Sequence, residues 1–255
     1  MAHVLIYDCS MAGLLTCIFE VYERKLVEIS INKTMQQQDA FAIVLHIDTD
    51  KIKAERVWKG LKERLSKEAL DQFYYCYLSE ITGIEDVLLH YARYAFSSDK
   101  NIEADFGHTA VLTVAQTARK VWREKHRMEA FVRFQLLKDG IYYSGIEPDH
   151  DVLPLILRHF KSRYADQDWL IYDIKRRYGI YYDKSRSEVK EVTLEWTENP
   201  KTLNAESTIF EPEEVHYQQL WKDYFKHTGI PERKNLKLHI QHVPRRYWKY
   251  LTEKQ

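Results

Sequence analysis

Cysteine is scarce in this chain: Cys9, Cys17 and Cys76 are the only three among 255 residues, and no two stand in CxxC spacing. That excludes a disulfide framework, a cysteine zinc site and a cysteine-held iron–sulfur cluster, and it points to a reducing compartment. Glycine is scarce as well. None of the eight falls in a GxGxxG or GxxxxGK pattern, so the dinucleotide and phosphate-loop signatures are missing, as is a serine-nucleophile elbow. No apolar run approaches a membrane span, and Met1-Ala2-His3 opens neither a basic n-region nor a signal-peptide core. A cytoplasmic protein without membrane association is expected. Net charge is missing too, with 38 basic against 38 acidic residues. Attraction to nucleic acid or anionic lipid must therefore rest on local asymmetry.

Such asymmetry is present. Residues 119–133 hold six basic and two acidic residues, and residues 229–255 hold seven against two, whereas residues 187–223 hold three lysines against nine acids. At 45% apolar residues the chain can bury a substantial core. A single compact domain over 1–255 is expected, with a subdomain boundary near 97–107, where Ser97-Ser98-Asp99-Lys100-Asn101 breaks the pattern.

Val4–Tyr7 reads as a short strand, followed by Asp8 and Ser10 as caps of a helix carrying Leu14, Leu15, Ile18 and Phe19. Phe41–Ile47 is a second strand candidate. Helical spacing then dominates from Asp50 to Phe96, and again from Thr109 to about Met128. Phe131–Leu137 and Ile141–Ile146 read as a hairpin joined through Asp139-Gly140. Asp151 is placed as N-cap of a helix with Pro154 in its first turn. Strand-like runs follow at Trp169–Tyr172, Tyr178–Tyr182 and Val189–Trp196, then an acidic loop and a helix containing Leu220 and Trp221. The expected class is α+β, with a helix-rich N-terminal half and a largely antiparallel sheet with packed helices in the C-terminal half.

The densest polar grouping runs from His126 to Phe134 and on to Glu147-Pro148-Asp149-His150-Asp151. Arg119, Arg123, His126 and Arg127 share one helical side, and with Arg133 the arginines form a candidate phosphate-binding stripe. The same charges would also suit a solvated helix end whose dipole they complement. Glu147, Asp149, His150 and Asp151 are candidates for acid–base chemistry, with His126 and His150 converging across the hairpin, or for a turn that caps a helix. No spacing matches a metal motif, so no metal and no cofactor are expected. Arg245-Arg246-Tyr247-Trp248 interleaves cations with rings, fitting either a nucleic-acid contact or an aromatic anchor in the core. Asp173 is a candidate acid or a turn former.

These stretches also carry a resemblance. With Tyr7-Asp8, Gly13-Leu14-Leu15, His159-Phe160, Arg163-Tyr164, Trp169-Leu170-Ile171-Tyr172-Asp173, Leu220-Trp221 and Pro244-Arg245-Arg246-Tyr247-Trp248, the chain resembles a bacterial family described as DNA-metabolism proteins of unknown function. The resemblance implies genomic company: a radical SAM protein assigned to DNA modification or repair and, elsewhere, fusion to a uracil-DNA glycosylase-like domain. It supplies no catalytic residues. Cys9 departs from it, since relatives carry glycine there.

The leading expectation is a nucleic-acid-binding accessory factor in DNA modification or repair that acts with a radical SAM partner. Its contacts are Arg119, Arg123, Arg127, Arg133, Arg245, Arg246 and Trp248. The alternatives are an enzyme on nucleic acid or nucleotides using His126, His150, Asp149 or Asp173, and a protein-interaction module.

Overall fold

The computed structural model describes residues 2–34, 42–193, 210, 211, 213–228, 240, 243–251 and 254. The chain divides into two compact units, 1–122 and 123–255. The α+β expectation holds, with helices dominating the first half and a mixed sheet in the second. Residues 97–107, where a subdomain boundary is expected, lie within the first unit.

In the first unit, β1 (His3–Ile6) lies between β2 (Ile29–Asn32) and β3 (Ile43–His46), and both pairings are parallel. Sequence patterning misses β2 because, although Ile29 and Ile31 alternate with Ser30 and Asn32, the strand is only four residues long. The strand's edge is covered instead by Asp86, which accepts hydrogen bonds from the Ile31 N–H at 2.7 Å and the Ser30 hydroxyl at 2.9 Å, so the polar edge is satisfied within the fold. Helix α1 (Met11–Glu23) starts at Ser10, whose Oγ accepts from the Gly13 N–H at 2.8 Å, the expected cap. Gly13 is required by space: a Cβ there would stand 2.3 Å from Asp8 Oδ1 and 2.9 Å from Thr49 Oγ1. Helices α2 (Lys51–Arg64), α3 (Lys67–Leu78) and α4 (Ile84–Ser97) pack around α1 and the sheet. Burial pushes the Cys17 and Cys76 thiols up to about 12, which makes them packing residues.

Helix α5 (Thr109–Phe131) runs from the first unit into the second. It is longer than expected. Val121, Glu124, Met128 and Val132 are all buried, continuing the helical spacing past the point where β-rich residues indicated a strand. The strand β4 is only Gln135–Leu136, and Arg133 lies between helix and strand. There its guanidinium donates to the Ala130 carbonyl at 2.7 Å, a C-terminal cap in place of the expected alternating strand position.

The second sheet has the order β4-β5-β6-β7-β8, with β5 (Tyr142–Ile146), β6 (Trp169–Asp173), β7 (Tyr178–Asp183) and β8 (Glu188–Val192). Gly140, with φ at +83°, makes the β4–β5 turn, as Asp139-Gly140 indicated. Only the β5–β6 pairing is parallel, bridged by α6 (Leu153–Arg163). All five residues of the central strand β6 are buried. Trp169 meets Phe160, Phe134 and Tyr182 on one face, while Leu170 and Tyr172 join Tyr143, Ile174 and Phe210 on the other. Helix α7 (Glu214–Thr228) follows. Residues 194–209, including the end of the third expected strand and most of the acidic loop, lie outside the described residues.

Candidate functional site

Glu147–Asp151 is held together by a carboxylate that the sequence left unnoticed. Glu124 is 1% exposed, and it accepts the backbone N–H groups of Asp149 and His150 at 3.0 and 2.8 Å. The Tyr247 hydroxyl donates to the same carboxylate at 2.5 Å and the Arg246 guanidinium at 3.1 Å. Arg246 also pairs with Asp149. Burial first, and then the hydrogen bond to Glu124, pushes the Tyr247 hydroxyl well above the usual phenol range. Arg246 is thus engaged with carboxylates of its own chain.

Asp151 does not cap α6. Its Oδ1 takes the Tyr178 hydroxyl at 2.5 Å, and the N-cap is Val152, without a side-chain bond. Pro154 in the first turn removes one backbone donor, so α6 can start without a capping side chain. Asp173 is fully buried. It accepts from the Lys175 and Arg176 N–H groups at 2.9 and 3.0 Å and from the Arg176 guanidinium at 2.7 Å. Burial pushes its carboxyl up, opposed by Arg176. It forms the β6–β7 turn, in which Arg177 takes φ +59°.

His150 docks its backbone on Glu124, and because α5 turns about 100° per residue, Glu124 and His126 point to nearly opposite sides of it. His126 Nδ1 stands 3.7 Å from Glu129, whose other oxygen is 3.9 Å from His159 Nδ1 and 2.7 Å from Lys125 Nζ. Glu129 is 13% exposed on its side chain, so this carboxylate gathers two imidazoles and an ammonium at the mouth of a cleft.

That cleft has a volume of about 850 Å³, within the range of small-ligand sites. Its walls are the last turn of α5, the β4–β5 hairpin, α6 and the start of α7, and they include Glu129, Arg133, Phe134, Tyr142, His159, Arg163, Tyr164, Gln167, Tyr217 and Trp221. Tyr217 and Trp221 are 56% and 42% exposed, large aromatic surfaces for a soluble face. The Arg133 guanidinium lies 5.9 Å from the centre of the Trp221 ring. A second hollow of about 470 Å³ shares Glu129, His159 and Arg163 and adds Lys125, Arg158 and Ser162. Arg158 and Arg163 are exposed.

Of the expected contacts, Arg133 lines the cleft. Arg119, Arg123 and Arg127 lie along a neighbouring side of α5, with Arg119 and Arg123 exposed. Arg119 borders a different hollow with Trp122, Glu68, Asp71 and Tyr75. Arg245 is exposed and covers the Trp248 ring at 5.8 Å, with Lys254 at 5.5 Å. Trp248 donates its indole N–H to the Val243 carbonyl, an anchoring arrangement.

Arg158, His159, Arg163, Tyr217 and Trp221, which line the two hollows, are not singled out by the sequence as candidate site residues. The available signal was the i, i+4 spacing of His159 and Arg163 on α6 and of Tyr217 and Trp221 on α7. Among the described residues no cluster of three His, Cys, Asp or Glu side chains is arranged to hold a metal, and no helix is long and apolar enough to cross a membrane.

Residues 82–253 match DUF4130, a domain of unknown function. The chain belongs to that family. Every residue named in the two adjoining hollows falls within the matched span. No curated protein matches the chain. Among solved structures it is similar to a pGpG-specific phosphodiesterase from Vibrio cholerae, at 9% identity over 71% of this chain and 80% of that one, with a TM-score of 0.35. A likeness of that size establishes neither a shared fold nor a shared activity. The DUF4130 match extends from the start of α4 to the C-terminal segment, so it takes in Glu124 and its partners as well.

Proposed function

We propose that this DUF4130 protein binds nucleic acid through the cleft of its second unit and serves as an accessory factor in DNA modification or repair. One observation carries the reading: Arg133, Arg158 and Arg163 border adjoining hollows that also expose Tyr217 and Trp221. Guanidinium groups are suited to phosphates and exposed rings to bases. Arg158 and Arg163 take part in no ion pair among the described residues, so their charge is available to a ligand. The setting in DNA metabolism and a radical SAM partner come from the family resemblance.

The test is fluorescence anisotropy of labelled DNA between 50 and 200 mM salt. Affinity is expected to fall steeply across that range, and Arg163→Ala is expected to lower the slope of log affinity against log salt by about 0.7–0.9. Absent binding, or binding indifferent to salt, would overturn the reading.

A second reading, an enzyme on nucleic acid or nucleotides, draws on Glu129 with His126 and His159 around it. It requires turnover of a DNA or nucleotide substrate that His159→Ala abolishes while binding persists.

A further inference from the structure

The two adjoining hollows differ in chemistry, and that difference points to the form of the ligand. The smaller is rimmed by Lys125, Arg158 and Arg163; the larger is walled by Phe134, Tyr217 and Trp221. Glu129 stands where they join, with His159 beside it. A phosphate is favoured beside the exposed Arg158 and Arg163 of the smaller hollow, whereas a base ring is favoured against the aromatic wall of the larger. We infer, resting on the nucleic-acid reading above, that the ligand is single-stranded DNA, with unpaired bases entering the larger hollow and the backbone running along Arg158 and Arg163.

A duplex presents phosphates outward but keeps its base faces stacked inside, so it can use the rim but not the aromatic wall. Only an unpaired nucleotide brings a phosphate and an open base face within one nucleotide's length. Tyr217 and Trp221 are four residues apart on α7 and therefore share one side of it, which suits two successive bases. Arg133, against the Trp221 ring, holds that side chain by a cation–π contact. Glu129 and Gln167, which also line the larger hollow, supply an acceptor and an amide for base edges.

The experiment compares the full chain binding one labelled 12-mer as a single strand and as a duplex at fixed salt. Single-strand binding is expected to be at least tenfold tighter. Trp221→Ala is expected to weaken it roughly tenfold, with Trp221→Phe close to wild type and duplex affinity unchanged. Tyr217→Ala gives an independent second variant on the same wall, and circular dichroism checks that each variant is folded. Equal affinity for the two forms, or folded Trp221→Ala and Tyr217→Ala variants that bind the single strand undiminished, overturns the inference while leaving nucleic-acid binding in place. Failure to bind either form overturns both.

Discussion

At the scale of single residues, the second unit is organised by carboxylates that sequence reading treats as surface or as catalysts. By sequence, Glu124 is one of two acids within a basic stripe. Its position on the buried side of α5 makes it the acceptor for two backbone N–H groups, a tyrosine and an arginine. Removing it would strand those donors, and a lost buried partner of this kind costs about 3–5 kcal/mol. Glu124→Ala is expected to lower the melting temperature by roughly 10 °C, and to make the chain after Val243 more sensitive to trypsin at Arg245 and Arg246. A melting temperature within 2 °C of wild type would contradict this role. Asp173 illustrates the same lesson. Its full burial and its bonds to Lys175, Arg176 and the Arg176 guanidinium leave its oxygens committed to a turn, so the acid–base role considered for it finds no support in its geometry.

At the scale of elements, α5 presents three differently used sides. Val121, Glu124 and Met128 are buried, Arg119, Arg123 and Arg127 form the basic stripe, and Lys125 and Glu129 face the cleft system. Periodicity revealed the stripe because charge recurring at four-residue spacing needs no tertiary information. It could not reveal the cleft, which is assembled from α6 and α7, elements about 30 to 90 residues further along the chain. Helix α5 also runs past its expected end: Phe131 and Val132 are good strand formers locally, yet Phe131 closes the helix and Val132, just beyond it, is buried and donates its N–H to the Met128 carbonyl. The strands β6 and β7 and the Asp139-Gly140 turn were legible for the opposite reason, since apolar runs and a positive-φ glycine are local signals. These sides rank the arginines. Arg123→Ala and Arg245→Ala, outside the cleft, are expected to weaken DNA binding about twofold to threefold each, and Arg163→Ala more than either, in the same anisotropy assay. Equal losses at all three would place the contact surface along α5 and the C-terminal segment instead.

At the scale of the molecule, the zero net charge separates by unit: 14 basic against 17 acidic residues precede Arg123, and 24 against 21 follow from it. The positive unit holds the proposed site; the negative one holds carboxylates that tie its elements together. Burial alone would raise the Glu20 and Asp8 carboxyls. In Glu20 the hydrogen bonds from Lys53 and Arg24 outweigh it, and in Asp8 those from Ser10 and Thr49, so both end below their ordinary values of 4.5 and 3.8. A carboxyl depressed in the folded state stabilises fully above its ordinary value, and that stabilisation is lost as pH falls through the folded value. The melting temperature is therefore expected to hold from pH 7 to about 5 and to drop below about 4. Glu20 is nearly buried and receives Lys53 at 2.6 Å and Arg24 at 2.6 Å, so Glu20→Gln should be about 1–3 kcal/mol less stable than wild type at pH 7. Protonation of Glu20 removes the same charge from the wild type, so the difference between the two proteins should shrink as pH falls below 4.5. A difference in melting temperature that persists unchanged to pH 3 would mean that Glu20 stabilises this unit by packing and not through its charge.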